Sequence, residues 1–87
     1  SILSAFPNPF NPITTIQFSV PDVETLDATS IRIYDITGKL VETLVDEKLS
    51  PGNHSVHWNA NGFSSGVYVT ELVSGNNREI QKIILLK

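Results

Sequence analysis

Proline and glycine interrupt this chain so often that no long helix can form, and this punctuation constrains the fold more than any other feature. Pro7, Pro9, Pro12, Pro21, Gly38, Pro51, Gly52, Gly62, Gly66 and Gly75 fall along 87 residues. Each either locks φ and removes an amide donor or frees the backbone for a turn. The pieces between them are rich in side chains branched at Cβ: Val, Ile and Thr supply 24 residues against three Ala. Such side chains lose rotamer freedom in a helix and pack well on a pleated surface. Short β-branched pieces between regular turn signals give the rhythm of an antiparallel sandwich.

Period-2 alternation locates the strands. Thr14 to Val20 puts Ile16, Phe18 and Val20 on one face and Thr15, Gln17 and Ser19 on the other. Ser30 to Asp35 turns Ile31 and Ile33 inward. The turn Asp35-Ile36-Thr37-Gly38 then leads into Leu40 to Val45, a hairpin in which Gly38 takes the positive φ that other residues resist. Ser50-Pro51-Gly52-Asn53 launches His54 to Trp58, where Val56 and Trp58 share a face and Trp58 anchors the core. Gly66 to Val73 and Glu79 to Leu86 follow, joined through Ser74-Gly75-Asn76-Asn77. A short strand at Ser4 to Phe6 brings the number to seven. Asp22 to Ala28 reads as a loop. Nothing divides the chain, so residues 1–87 form one domain, and with no Cys it must hold together by packing alone, through Trp58, Ile31, Ile33 and Tyr68 above all.

Composition excludes several functions. A net charge of -3 argues against a nucleic-acid binder, which needs a basic stripe to neutralise phosphates. Without Cys there is no thiolate nucleophile and no Cys-based zinc site. The longest apolar run, Ile83-Ile84-Leu85-Leu86, is far short of the roughly 20 residues of a membrane span. Ser1-Ile2-Leu3-Ser4 lacks the basic and apolar regions of a signal peptide. The absence of Met points to a piece excised from a longer protein.

Few side chains suggest chemistry. Gly62-Phe63-Ser64-Ser65-Gly66 spells the nucleophile elbow G-x-S-x-G, but that motif needs a strand before it and a helix after it. A strand pattern follows Gly66, so the segment reads as a turn. His54 and His57, three apart on a strand, point to opposite faces and cannot share a metal unaided. His54 is expected near Trp58 or at a strand end, and His57 in solvent. Asp22, Glu24 and Asp27 place three carboxylates in one loop, fewer than the six to eight oxygens of a calcium site. Asn53-His54-Ser55 fits a glycosylation triplet that arises often by chance. No catalytic constellation, cofactor or metal is expected.

Phe6-Pro7-Asn8-Pro9-Phe10-Asn11-Pro12 is less ordinary. Each proline stiffens the chain and pushes the preceding residue to an extended shape. Asn8 and Asn11 can cap neighbouring backbone groups in place of the missing donors. The expectation is a rigid segment that docks Phe6 and Phe10 on the sandwich and shields an edge strand.

The ordered set Pro7-Asn8-Pro9-Phe10-Asn11-Pro12 with Thr14-Thr15-Ile16, Tyr34-Asp35 with Gly38-Lys39, Leu49-Ser50-Pro51-Gly52 before Val56 and Trp58, Gly66-Val67-Tyr68, and Lys82 before an aliphatic tail resembles the C-terminal sorting domain of type IX secretion (Por system) substrates. The likeness runs over almost the whole chain. It implies an immunoglobulin-like β-sandwich of about seven strands at the end of a larger secreted passenger of the Bacteroidetes type. In that family a separate N-terminal signal takes the protein into the periplasm, an outer-membrane translocon recognises the domain, and a surface sortase removes it. The passenger ends in the medium or on the cell surface. Carried over residue by residue, Pro7, Asn8 and Pro9 match the first recognition motif, Gly66 and Tyr68 the second, and Lys82 the charged position of the last strand. Glu79 to Lys87 and Pro7 to Pro12 are expected to form the docking surface. Two other readings stay open: an accessory spacer or carbohydrate-binding module of a glycoside hydrolase, for which several coplanar exposed aromatics would be wanted, and an assembly domain like that of flagellar hook-capping proteins.

Overall fold

A computed structural model describes residues 3–21 and 28–87. Seven strands follow in order: β1 (Leu3–Phe6), β2 (Ile13–Val20), β3 (Thr29–Asp35), β4 (Leu40–Glu47), β5 (Gly52–Asn59), β6 (Gly66–Ser74) and β7 (Asn77–Leu85). They form a three-stranded sheet, β1-β2-β5, and a four-stranded sheet, β4-β3-β6-β7, with antiparallel pairing of all neighbouring strands. The fold is the immunoglobulin-like sandwich expected, with one difference from the seven-stranded constant layout. There the fourth strand lies beside the fifth, whereas here β4 lies beside β3. The loop reading for Asp22 to Ala28, and with it the carboxylates Asp22, Glu24 and Asp27, lies outside the described residues except for Ala28.

The strands carry out the alternation of the sequence. Ile16, Phe18 and Val20 of β2 and Ile31 and Ile33 of β3 face one core, together with Leu72, Ile83 and Leu85. Trp58, Ile31 and Ile33 are fully buried, and Tyr68 is 7% exposed. Trp58 sits at the centre of the ring cluster, 5.6 Å from Phe10, 5.8 Å from Phe63 and 5.4 Å from Tyr68 by centroids. Each tilted or edge-on ring pair of this kind adds about 0.5–1.5 kcal/mol beyond the area it buries. Gly38 has φ 89°, and nothing lies within 4 Å of a Cβ built there. A larger residue at 38 therefore meets backbone strain rather than crowding.

A sandwich leaves strand edges open, and open edges recruit other chains. β1 has only four residues. β4 pairs with β3 through two register shifts, between Ile31 and Arg32 and between Ile33 and Tyr34, which twist that edge away from regular pairing. The edge of β7 is covered by the proline-rich segment between β1 and β2.

Candidate functional site at the edge of the last strand

Pro7 and Pro9 have no amide hydrogen, so the backbone of this segment cannot run an ordinary hydrogen-bond ladder. Asn8, set between them, supplies the missing groups from its side chain. Its Nδ2 donates to the Lys82 carbonyl at 3.1 Å, and its Oδ1 accepts from the Ile84 amide at 2.9 Å. One carboxamide thus brackets Ile83 as the N–H and C=O of a single residue on a neighbouring parallel strand would. Two residues on, the backbone takes over: Phe10 N–H donates to the Ile84 carbonyl and Leu86 N–H donates to the Phe10 carbonyl, both at 2.9 Å. Phe10 pairs with Leu85 in parallel, and its ring is buried against Trp58. Thr14 Oγ1 donates to the Pro7 carbonyl at 2.8 Å and ties the segment back to β2.

The opposite side of the same stretch of β7 belongs to β6. Gly66 pairs with Leu85, Tyr68 with Ile83 and Val69 with Lys82. Gly66 has φ 153° with open space where a Cβ would stand, so its constraint too is conformational. Tyr68 lies in the ring cluster, and its hydroxyl donates to the Ser64 carbonyl at 2.6 Å. A tyrosine near the start of the sixth strand bonding backbone a few residues upstream is the tyrosine corner of immunoglobulin-like domains. Lys82 is solvent-exposed on the outer side of β7. All six residues singled out from the sequence, Pro7, Asn8, Pro9, Gly66, Tyr68 and Lys82, therefore gather around Lys82 to Leu86. Their parts differ: Tyr68 is interior, Asn8 seals an edge, and Lys82 faces outward.

Two expectations need correction. Phe6 does not dock on the sandwich: it is 79% exposed, because Leu3 and Ala5 take the inward positions of β1 and alternation turns Phe6 out. Asn8 caps β7, 74 residues distant in sequence, rather than a neighbour, and no hydrogen bond of the Asn11 side chain occurs among the described residues. The edge strand that the segment shields is β7, whose final third Asn8 and Phe10 close. The histidines lie on opposite faces, His54 at the start of β5 with Nε2 2.8 Å from the Ser50 carbonyl, and His57 outward with Nδ1 2.9 Å from Thr15 Oγ1. Gly62 to Ser65 lie in the turn between β5 and β6, and Gly66 opens β6.

A second polar cluster occupies the outer side of the four-stranded sheet. Asp35 Oδ1 accepts from the Thr37 hydroxyl at 2.6 Å, the Thr37 amide at 2.9 Å and the Lys39 amide at 3.0 Å. The Thr37 hydroxyl, then the Lys39 amide, holds the Asp35 carboxyl below its ordinary pKa. The Tyr34 hydroxyl donates to Glu71 Oε1 at 3.2 Å, and Arg78 pairs with Glu71 Oε2 at 2.7 Å. Desolvation and the Glu71 charge raise the Tyr34 pKa. Asp35 thus caps the turn after β3, and Glu71 with Tyr34 and Arg78 braces β3, β6 and β7. Among the described residues no group of three His, Asp or Glu could hold a metal ion.

Residues 4–86 match the family described as "Secretion system C-terminal sorting domain". A solved structure similar to this chain is that of PorZ, described as an essential bacterial surface component of the type IX secretion system of the oral bacterium Porphyromonas gingivalis. The TM-score is 0.69 at 23% identity, over 98% of this chain and 11% of PorZ. That likeness shows a shared fold. No curated protein matches the chain.

Proposed function

This chain belongs to the family of secretion system C-terminal sorting domains, the type IX class, and we propose that the joint between the Pro7 to Pro12 segment and the end of β7 is the surface the secretion machinery reads. Family membership supports reading it as the sorting tail of a substrate exported to the cell surface or the medium. Within that role, the whole of residues 1–87 acts as one non-catalytic module recognised by the outer-membrane translocon after passage through the periplasm. A surface sortase then separates it from its passenger. One observation supports this assignment best: residues far apart in sequence, Asn8 and Lys82, are joined by a hydrogen bond at the same exposed edge. A reader of this composite surface would recognise only a folded domain, because neither half presents it alone. Main-chain groups and the outward Lys82 would supply the contacts.

Removing the last residues is a poor test, because Ile83 and Leu85 are fully buried and their loss would unfold the domain. The better variant is Lys82→Glu, which changes an exposed charge. A secreted reporter carrying this domain, expressed in a bacterium with a type IX system, should reach the surface with the native sequence and stay in the periplasm with Lys82→Glu. The purified variant should keep the native urea midpoint. Undiminished surface display of the variant would overturn the assignment.

A further inference from the structure

The charged residues of the described strands are divided by sheet. None of the residues of β1, β2 and β5 is Asp, Glu, Lys or Arg, although the chain has 9 Asp+Glu and 6 Lys+Arg. Arg32, Asp35, Glu42, Asp46, Glu71, Arg78 and Lys82 all lie on the other sheet. Exposed protein surface ordinarily mixes charges of both signs, so a whole sheet face without one is a departure that needs a cause.

The outer side of the three-stranded sheet is built of cross-strand rows. Ser4, Gln17 and Ser55 stand opposite one another, as do Phe6, Thr15 and His57. Ser19 and Asn53 form the next row, their side chains 3.3 Å apart. A shallow depression runs over Ser4, Gln17, Ser19, Asn53 and Ser55. The side chains of Ser4, Gln17 and Ser55 make no hydrogen bond among the described residues and are free to bond a ligand. Beside them Phe6, 79% exposed, offers one apolar ring at the edge of the row.

We propose that this face binds a neutral polysaccharide. Hydroxyl, carboxamide and imidazole groups both donate and accept, matching sugar hydroxyls, which do the same. Electrostatic complementarity selects the ligand: strands without Asp, Glu, Lys or Arg among their described residues offer no counter-ion to an anionic polymer or a phosphate. It also avoids the cost of stripping water from charged side chains when it meets neutral hydroxyls. Phe6 gives one platform for the C–H face of a sugar ring. Recognition rests mainly on the hydrogen-bonding rows, unlike the stacked aromatics that a carbohydrate-binding module ordinarily needs. This site lies on the sheet opposite Lys82, and its test needs only the purified 87-residue chain, so it stands or falls separately from the sorting role.

The experiment is native electrophoresis of the chain through gels containing barley β-glucan, xyloglucan, galactomannan or dextran, with polygalacturonate as the anionic comparison. Retardation by at least one neutral polymer and not by polygalacturonate is expected. Gln17→Ala should abolish it and Phe6→Ala weaken it, with urea midpoints unchanged because both residues are exposed, while Lys48→Ala should leave it intact. Four results would overturn the proposal: no retardation by any neutral polymer, equal retardation by polygalacturonate, indifference to Phe6→Ala and Gln17→Ala, or a shift traced by sedimentation to pairing of two copies through this face.

Discussion

The indole N–H of Trp58 donates to Glu42 Oε1 at 3.0 Å, a single bond that joins β5 of one sheet to β4 of the other. Trp58 is fully buried, so its one donor has to find an acceptor inside the protein. Glu42, opposite Ile33 on the edge strand, reaches it from the rim of the core. The bond closes the side of the sandwich where the two sheets meet least.

Glu42→Ala leaves that indole donor unsatisfied and should cost about 1–3 kcal/mol, whereas Glu42→Gln keeps an acceptor and should cost less. Trp58 is the only tryptophan, so urea unfolding followed by its fluorescence measures both variants directly. Equal stability of Glu42→Ala and the native chain would show that the bond contributes nothing.

Asn8→Ala removes both bonds from the carboxamide to β7. Local opening should rise most at Ile84, whose amide loses its acceptor, with a global loss of about 1–2 kcal/mol. Amide hydrogen exchange should show faster exchange at Ile84 while amides paired between β2 and β5 hold their protection. Asn8→Asp keeps the acceptor but not the donor toward the Lys82 carbonyl, and should protect Ile84 better than Asn8→Ala does.

Tyr68→Phe preserves the ring packing with Trp58 and Phe63 and deletes only the hydroxyl bonded to Ser64. A loss of about 0.5–1.5 kcal/mol is expected, with greater exchange in the turn before β6. A thermal midpoint equal to the native one would count against a tyrosine corner of any energetic weight.

Thr70 is fully buried on the inner face of β6, and its Oγ1 has no hydrogen-bond partner among the described residues. Thr70→Val replaces an orphan hydroxyl with a methyl of similar shape and should stabilise the fold by about 1 kcal/mol. Calorimetry would detect the rise in midpoint, and a fall would mean the hydroxyl is bonded in solution.

The Asp35 cap fixes a pH dependence. Its folded pKa is lowered, so the unfolded chain takes up a proton first as pH falls. The contribution is present above the unfolded pKa of about 3.9 and is lost as pH drops through the lower folded value. Urea midpoints measured from neutral pH down to acid should therefore fall less steeply in Asp35→Asn than in the native chain. NMR titration of the Asp35 carboxyl should give a value below that of a free aspartate.

Much of the fold could be read from local pattern. Ile16, Phe18 and Val20, Ile31 and Ile33, and Trp58 declared their side by period-2 alternation, and Gly38 marked its hairpin by the one conformation that glycine tolerates best. Alternation also assigns Phe6, yet the aromatic residue beside proline suggested docking, and the register with β2 instead turned it outward. The role of Asn8 was not legible, because its partners Lys82 and Ile84 become neighbours only when two sheets stack. Nor did Tyr68 announce its bond to Ser64, which depends on where the β5–β6 turn places a carbonyl.

The chain alone determined that this protein is a strand-built sandwich without cysteine, since backbone restriction at Pro and Gly and branching at Cβ act within a few residues. Tertiary structure decided the rest. It brought Pro7, Asn8 and Pro9 against the end of β7, seated Tyr68 in the core and left Lys82 outside, and put every charge among the described strands on a single sheet. Such relations depend on which strands become neighbours in space, and that is settled by burial of the whole core at once.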